Sequence, residues 1–239
     1  MKEKILNNQD LYQMLDSLIR KPKPFWEEFY EDRDKEIPFF QTKQPDENLV
    51  EYFHHYIKPR TALELGCGPG RNAIYMARQG CEVEAVDISE NAIEWAQERA
   101  ADENLQIRFR CGDIFQMNLQ EDSYDFIYDS GLLHHLPPHQ RMKYIAFICK
   151  VLKPKGHFGL VCFTPEGGAD ITDWEVYRHY SMQGGIGYEE ERLKELFKKE
   201  FHFHTFRRMK KMEQSDDLFG EDFLWTSLME LRPSLDDFI

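Results

Sequence analysis

The residues with the clearest chemistry in this chain lie in Glu64-Leu65-Gly66-Cys67-Gly68-Pro69-Gly70-Arg71-Asn72, where glycine recurs at every second position. Glycine tolerates positive φ and leaves the backbone bare, so a ligand can lie against amides at a helix N-terminus. The same pattern also closes strand-to-helix turns that bind nothing, and this segment alone leaves both readings open. Further on, Asp87 ends a β-favouring run with Ile88 beside it, and a carboxylate there can accept hydrogen bonds from both hydroxyls of a ribose. Gly112-Asp113-Ile114 follows another such run and offers an acid and a backbone N–H beside an apolar residue, which suits the edge and face of adenine. Asp129 and Ser130 end the next. Four such turns at consecutive strand ends define the crevice where an open α/β sheet takes its ligand, and the ligand implied is a nucleoside-containing cofactor.

The elements that must position these residues are visible as an alternation of β-favouring and helical runs. The strand-like runs are TALEL (61 to 65), EVEAVD (82 to 87), QIRFR (106 to 110), YDFIYD (124 to 129) and HFGLVCF (157 to 163). One helix carries Ala73, Ile74 and Ala77 on its apolar face, a second starts at the N-cap Ser89, and a third runs from about Pro138 to Leu152 and stops at Lys153-Pro154-Lys155-Gly156. This rhythm predicts parallel strands joined by crossover helices. Two further runs, 201 to 212 and 222 to 231, are joined by a turn through QSDDLFGE and must be antiparallel, because a parallel return needs a longer connection.

Composition narrows the partners. With 30 Lys and Arg against 43 Asp and Glu, the 239-residue chain carries a net charge of −13, which opposes approach to a polyphosphate backbone. The five cysteines include no Cys-x-x-Cys pair, and no stretch approaches the roughly 18 apolar residues of a membrane span. A cytoplasmic protein without nucleic-acid or membrane partners is expected, as monomer or homodimer. No metal site is expected either, since His134, His135 and His139 lack an acidic partner at ligand spacing. The basic run Arg207-Arg208-Met209-Lys210-Lys211 reads as the solvated part of an edge strand.

Taken together, E-L-G-C-G-P-G, V-D-I-S, G-D-I, Y-D-F-I-Y-D-S-G-L-L-H-H-L and L-K-P-K-G resemble the class I, Rossmann-like S-adenosylmethionine-dependent methyltransferases over residues 61 to 163. The resemblance implies an α/β three-layer sandwich with a seven-stranded, mostly parallel sheet whose last strand is antiparallel, plus an N-terminal helical extension. It also implies that Gly66, Gly68 and Gly70 line the methionine moiety with Glu64 beside the loop, that Asp87 holds the ribose, and that Asp113 and Ile114 meet the adenine. Asp129 falls near the amino acid and methyl donor; Cys67, Asn72, Ile88, Gly112 and Ser130 complete the expected cofactor set. S-adenosylhomocysteine is the expected product. Two alternatives remain: an NAD(P)-type Rossmann oxidoreductase, whose loop usually reads G-x-G-x-x-G where position 71 here is Arg, and a non-catalytic S-adenosylmethionine-binding protein.

Methyl transfer from a sulfonium is an in-line displacement that needs a base only when the acceptor must lose a proton. His134 is the candidate base, with Asp129 as the second catalytic candidate; equally, either histidine of His134-His135 can cap a helix or pack beneath the loop, and His135 is read as the structural one. The fourth loop lacks the Asn/Asp-Pro-Pro-aromatic tetrapeptide of enzymes acting on exocyclic base amines, and no cysteine follows a proline, so a small-molecule acceptor is expected. F-W-E-E-F-Y and I-P-F-F-Q-T-K-Q-P-D-E-N-L are similar to the lead-in of small-molecule methyltransferases related to thiopurine, thiol, halide and tellurite-resistance enzymes. Residues 1–60 are accordingly expected to form a helical lid, 61–231 the methyltransferase domain with a lid-like insertion at 164–187, and 232–239 a tail. Trp26, Phe40, Trp174 and Tyr177 are the expected aromatic lid residues.

Overall fold

In Thr61–Leu65 (β1), successive side chains enter opposite faces of a sheet: Ala62 joins one apolar cluster, Leu63 and Leu65 the other. The structure is a computed structural model and describes residues 4–37, 40, 42–213 and 217–233. Phe39, residues 214–216 of the expected turn, and 234–239 of the expected tail lie outside the described residues. The remaining strands are β2 (Glu82–Asp87), β3 (Arg108–Cys111), β4 (Tyr124–Ser130), β5 (Leu152–Phe163), β6 (Phe201–Arg208) and β7 (Leu224–Leu231). They form a seven-stranded sheet of order β3-β2-β1-β4-β5-β7-β6. β7 runs antiparallel to both its neighbours, and the other pairings are parallel. The last strand is thus antiparallel as expected, inserted between β5 and the edge strand β6.

Helices cover both faces. α3 (Glu47–His55), α4 (Arg71–Arg78) and α5 (Glu90–Asp102) bury Leu49, Tyr52, Ala73, Met76 and Ile93 against Ala62, Phe126 and Tyr128. α6 (Arg141–Val151) and α8 (Glu190–Phe197) bury Tyr144, Ile145, Ile148, Leu193 and Phe197 against Leu63, Ile127 and Phe158. Between the last two, the short α7 (Asp173–Arg178) starts at a capping box formed by Thr172 and Glu175. Ser89 caps α5 by accepting from the Ala92 N–H at 3.2 Å. Ahead of the sheet lie α1 (Asn8–Ser17) and α2 (Pro22–Glu31), in neither of which any residue is fully buried.

Two local readings need correction. Lys153-Pro154-Lys155-Gly156 does not end before a strand; it is an irregular stretch inside β5, whose register to β4 jumps from Tyr124↔Leu152 to Phe126↔His157. Lys155 sits at φ 61, which lets the chain bulge and rejoin the sheet. The basic run lies on and just after the edge strand with Arg208, Lys210 and Lys211 exposed, but Arg207 is not solvated: it forks onto Glu47 at 2.6 and 2.9 Å and reaches Glu51 at 2.7 Å, both on α3. α3 is therefore clamped into the sheet layer and does not share the position of α1 and α2.

The start of α3 rests on Asp46, whose side chain is fully buried. It accepts from the Tyr128 and Ser130 hydroxyls, each at 2.7 Å, and from the Asn72 amide at 3.0 Å, and it pairs with Arg71 at 2.6 Å. Asp46→Ala leaves Arg71 buried without its counter-ion, so it should cost about 3–5 kcal/mol of stability in urea unfolding; a loss below about 1 kcal/mol would show that the pair is replaceable.

Candidate active site

Strand order reverses between β1 and β4, and their carboxyl ends open a crevice there. A cavity of about 590 Å³ occupies it. The glycine loop forms one wall, with Gly66 at φ 66 and Gly68 at φ 50. Gly70, at φ 77, lies behind that wall, where a β-carbon would come within 2.9 Å of Ala96 on α5; its requirement is helix packing. Glu64, Gly66, Cys67, Gly68, Asn72, Asp87, Ile88, Gly112, Asp113, Ile114 and Ser130 all line the cavity. Of the expected cofactor positions, Gly70 and Asp129 do not.

Burial dominates the electrostatics. The Glu64 carboxyl is pushed up to about 8 by burial, against the nearby Arg71 charge, and its Oε2 is buried with no hydrogen-bond partner. Burial also pushes Asp87 up to about 6, although its carboxylate accepts from the Gly68 and Ser89 N–H groups, each at 2.9 Å. A cation or hydroxyl donor entering the crevice meets acids poised to ionise towards it. Cys67 has its thiol pushed well up by burial, which leaves it no nucleophilic role. Asn72 and Ser130 give side-chain hydrogen bonds to Asp46, and Asp113 accepts from the Phe115 N–H at 2.9 Å and from Gln116 at 3.1 Å, fixing its turn.

Asp129, expected at a catalytic or cofactor position, lies behind the cavity wall. It is fully buried, and accepts from the Leu132 N–H at 2.6 Å, the Leu133 N–H at 3.0 Å and the Tyr144 hydroxyl. Its carboxylate therefore holds the short 3₁₀ turn Leu133–His135, which carries the two histidines.

Both histidines line the cavity, with opposite tautomers. His134 stacks on Phe163 at 3.7 Å, and its Nδ1 accepts from the Phe163 N–H at 3.3 Å, so the neutral ring carries its proton on Nε2. That geometry leaves His134 Nε2 as a hydrogen-bond donor. His135 Nδ1 lies 2.8 Å from the Gly184 carbonyl, which can only accept, so Nδ1 holds the proton and Nε2 keeps a free lone pair. Burial pushes His134 well down and His135 down to about 4, so both rings are neutral at physiological pH.

Among the expected lid aromatics, only Trp26 lines the cavity, edge-on to His135 at 4.7 Å. Phe40 is buried beneath it against Phe29, Tyr30 and Trp95. Trp174 is 75% exposed on α7, and Tyr177 bonds His139 at 2.8 Å, so neither reaches the cavity wall. The 164–187 segment contributes Met182 to the wall instead, and the Gly184 carbonyl to His135. Tyr30 was missed: its hydroxyl lies 2.8 Å from where a β-carbon on Gly68 would stand. The signal was available, because Trp26 and Tyr30 are spaced i,i+4 and share one face of α2.

A glycine loop opening a helix at a sheet's switch point, with an acid at the end of the next strand, defines a Rossmann-like nucleoside-cofactor fold. Residues 62–156 match the family model for a methyltransferase domain. The chain is 28% identical over 120 residues to an uncharacterized methyltransferase of Schizosaccharomyces pombe, covering 50% of this chain and 83% of that protein. It is 34% identical over 100 residues to a ubiquinone biosynthesis O-methyltransferase of Coxiella burnetii, 42% of either chain. A solved structure of 1,6-didemethyltoxoflavin-N1-methyltransferase from Burkholderia thailandensis, with 1,6-didemethyltoxoflavin and S-adenosylhomocysteine bound, shares the fold at TM-score 0.65 and 22% identity, over 98% of this chain and 94% of that one. TehB of Haemophilus influenzae shares it at TM-score 0.59 and 21% identity, over 78% and 62%. Residues 62–156 are thus a methyltransferase domain, and the chain has the fold of the class I, S-adenosylmethionine-dependent methyltransferases. Among the described residues, no helix is long and apolar enough to cross a membrane.

The raised Glu64 pKa has a measurable consequence. Between about pH 4.5 and 8 the unfolded chain has ionised this group while the native state still holds its proton. Folding takes up a proton in that window, so the Glu64 contribution to stability declines as pH rises. Glu64→Gln should flatten that decline and raise the unliganded protein's stability at pH 8; urea titrations giving parallel pH profiles for both proteins would refute the shift.

Proposed function

We propose that this methyltransferase delivers its methyl group to a small apolar thiol or phenol enclosed in the crevice. The observation carrying the proposal is the cavity, about 590 Å³, which extends from the glycine loop to the histidine pair beneath residues of α1 and α2. That volume falls in the range of about 300–1,000 Å³ typical of small-ligand sites, and the helical roof leaves little approach for a duplex or a protein surface. The net charge of −13 argues the same against nucleic acid. In this reading α1 and α2 form the lid, α3 belongs to the sheet domain that extends to residue 231, and the protein works in the cytoplasm as a monomer or homodimer, without a membrane partner.

S-adenosylmethionine supplies, when bound, an electrophilic methyl group on a cationic sulfonium. Around it, Glu64 offers its unpartnered oxygen to the ammonium group, and Gly66, Cys67, Gly68, Asn72 and Ser130 wall the methionine portion. Asp87 takes the ribose hydroxyls, with Ile88 alongside, while Gly112, Asp113 and Ile114 border the adenine. Gly70 and Asp129 act from behind, through helix packing and the histidine turn. His135 Nε2 takes the proton that the acceptor heteroatom loses as it attacks, while His134 donates a hydrogen bond. A ring with a pKa of about 4 is too weak a base to ionise a free thiol or phenol, so the proton moves only as attack on the methyl group makes the acceptor heteroatom strongly acidic. Trp26 and Tyr30 help exclude water from this end-to-end arrangement.

Formation of S-adenosylhomocysteine, followed with a panel of small thiols, phenols, amines, oligonucleotides and proteins, should show turnover with thiols or phenols; turnover confined to macromolecules would overturn the small-molecule reading. For the base, His135→Gln should lower kcat by about 10²–10⁴ with a protonated acceptor while leaving S-adenosylhomocysteine affinity unchanged. Acceptors already ionised at the assay pH should restore most of the rate. A variant within threefold of wild type for every acceptor would remove His135 from the reaction.

A further inference from the structure

A second set of ligating groups lies away from the crevice, where β5, β7 and β6 run side by side. Glu230 on β7 pairs in register with His157 on β5 and with His202 on β6, so a row of polar groups crosses three strands on one face. β6 carries a bulge here: Phe203 opposes Met229 and Thr205 opposes Leu228, which leaves His204 as the extra residue. A bulge re-aims a side chain, and His204 Nε2 comes to 3.0 Å from Glu230 Oε2, with His157 Nε2 at 3.8 Å from the same oxygen. The ligand atoms of His157, His204 and Glu230 all lie within 4.8 Å of one another.

We propose that His157, His204 and Glu230 form a binding site for a single divalent ion of the zinc type. Two imidazoles and one carboxylate are a zinc donor set, with metal–ligand distances of about 2.0–2.2 Å. Around a tetrahedral ion, those distances put neighbouring ligand atoms roughly 3.3 Å apart, close to the spacings already present. The three side chains are 25%, 30% and 31% exposed, so an ion can enter from solvent and keep water at its open position. His202 borders the cluster, its ring 5.3 Å from that of His204. The absence of a metal expected from sequence applied to His134, His135 and His139; these three ligands are distant in sequence and meet only through strand pairing.

His157 stands six residues before Phe163, so the site lies roughly 20 Å along β5 from the catalytic crevice at about 3.3 Å per residue. A metal there staples three strands, including the edge strand, and takes no part in methyl transfer.

Titration calorimetry of the reduced full-length protein with zinc chloride should give one site per chain, and cobalt(II) in its place should show the visible absorption of a tetrahedral nitrogen–oxygen site. Zinc should raise the Tm, and a chelator should reverse the rise. His204→Ala and Glu230→Gln should each weaken zinc binding by at least the roughly 10- to 100-fold that loss of a merely supporting partner causes. Unchanged S-adenosylhomocysteine affinity in both variants establishes that they fold. A wild-type protein that binds no zinc, or variants that bind it as tightly as wild type, would overturn the site; a sulfur-type cobalt spectrum would place the metal on thiols and overturn it equally.

Discussion

The crevice depends on the desolvated carboxylate of Asp46. Its oxygens gather Arg71 and Asn72 from the start of α4, and Tyr128 and Ser130 from the end of β4. Its own N–H donates to Asn72 Oδ1 at 3.0 Å, so that pair of residues is bonded in both directions. The neighbouring backbone reaches the β6–β7 connection, through Phe219 N–H to Pro45 O at 2.8 Å and Glu47 N–H to Phe219 O at 2.9 Å. One buried anion thereby fixes the glycine loop's helix, the fourth strand's end and the far hairpin relative to one another. A charge removed from water is tolerated only when its partners are this numerous and well placed, so the network specifies geometry more than it adds stability. Glu47 repeats the device next door, with Arg207 bound at 2.6 and 2.9 Å and the Lys210 N–H at 2.9 Å.

Within that frame the acids of the crevice are held in a state that a cation can relieve. Glu64 and Asp87 have their carboxyls raised by burial, and Glu64 keeps an unpartnered oxygen. A permanent internal cation would have neutralised them; Arg71, the nearest one in kind, is committed to Asp46 and to the Gln44 carbonyl. In the proposed mode of binding, a sulfonium carrying an ammonium group would supply the missing charge and lower the raised pKa values. If the donor sits there as proposed, the deficit in the unliganded protein would favour a cationic donor over a neutral or anionic nucleoside.

Much of this architecture was legible in the sequence, because parallel strands buried on both faces are near-continuous apolar runs punctuated by glycine and acid at their ends. TALEL and EVEAVD coincide with β1 and β2, and the Ser89 cap is where α5 begins. What escaped was set by tertiary contact. Lys153-Pro154-Lys155-Gly156 has the composition of a turn, yet pairing with β4 on one side holds it within a strand. The basic run on β6 looks solvent-facing until α3 brings Glu47 and Glu51 against it. Roles within Asp129, His134 and His135 were unreadable for a sharper reason: they turn on which nitrogen or oxygen is already occupied, and the partners are backbone groups of residues 132, 133, 163 and 184, which no side-chain pattern discloses.

The roof is held differently from everything beneath it. α2 meets α5 through Lys23–Glu90 and Arg33–Glu98, pairs whose side chains are largely exposed and each worth at most about 1 kcal/mol. α1 rests on the turn before α6 through Asp16, which accepts from His139 at 2.7 Å and from Gln140 at 2.6 Å. Pro22, Trp26 and Tyr30 of α2 face the cavity, as does Ile19 in the link between the two helices, while Phe29 packs on Phe40. In the proposed reading these helices are the lid, and a ligand in the crevice would add contacts to the side chains that line it and so favour the closed arrangement. Because the same helices cover both the glycine loop and the histidine pair, donor and acceptor share one gate. On the proposed reading, filling both halves of the cavity would exclude water from the sulfonium and so couple commitment of the methyl group to the presence of its acceptor.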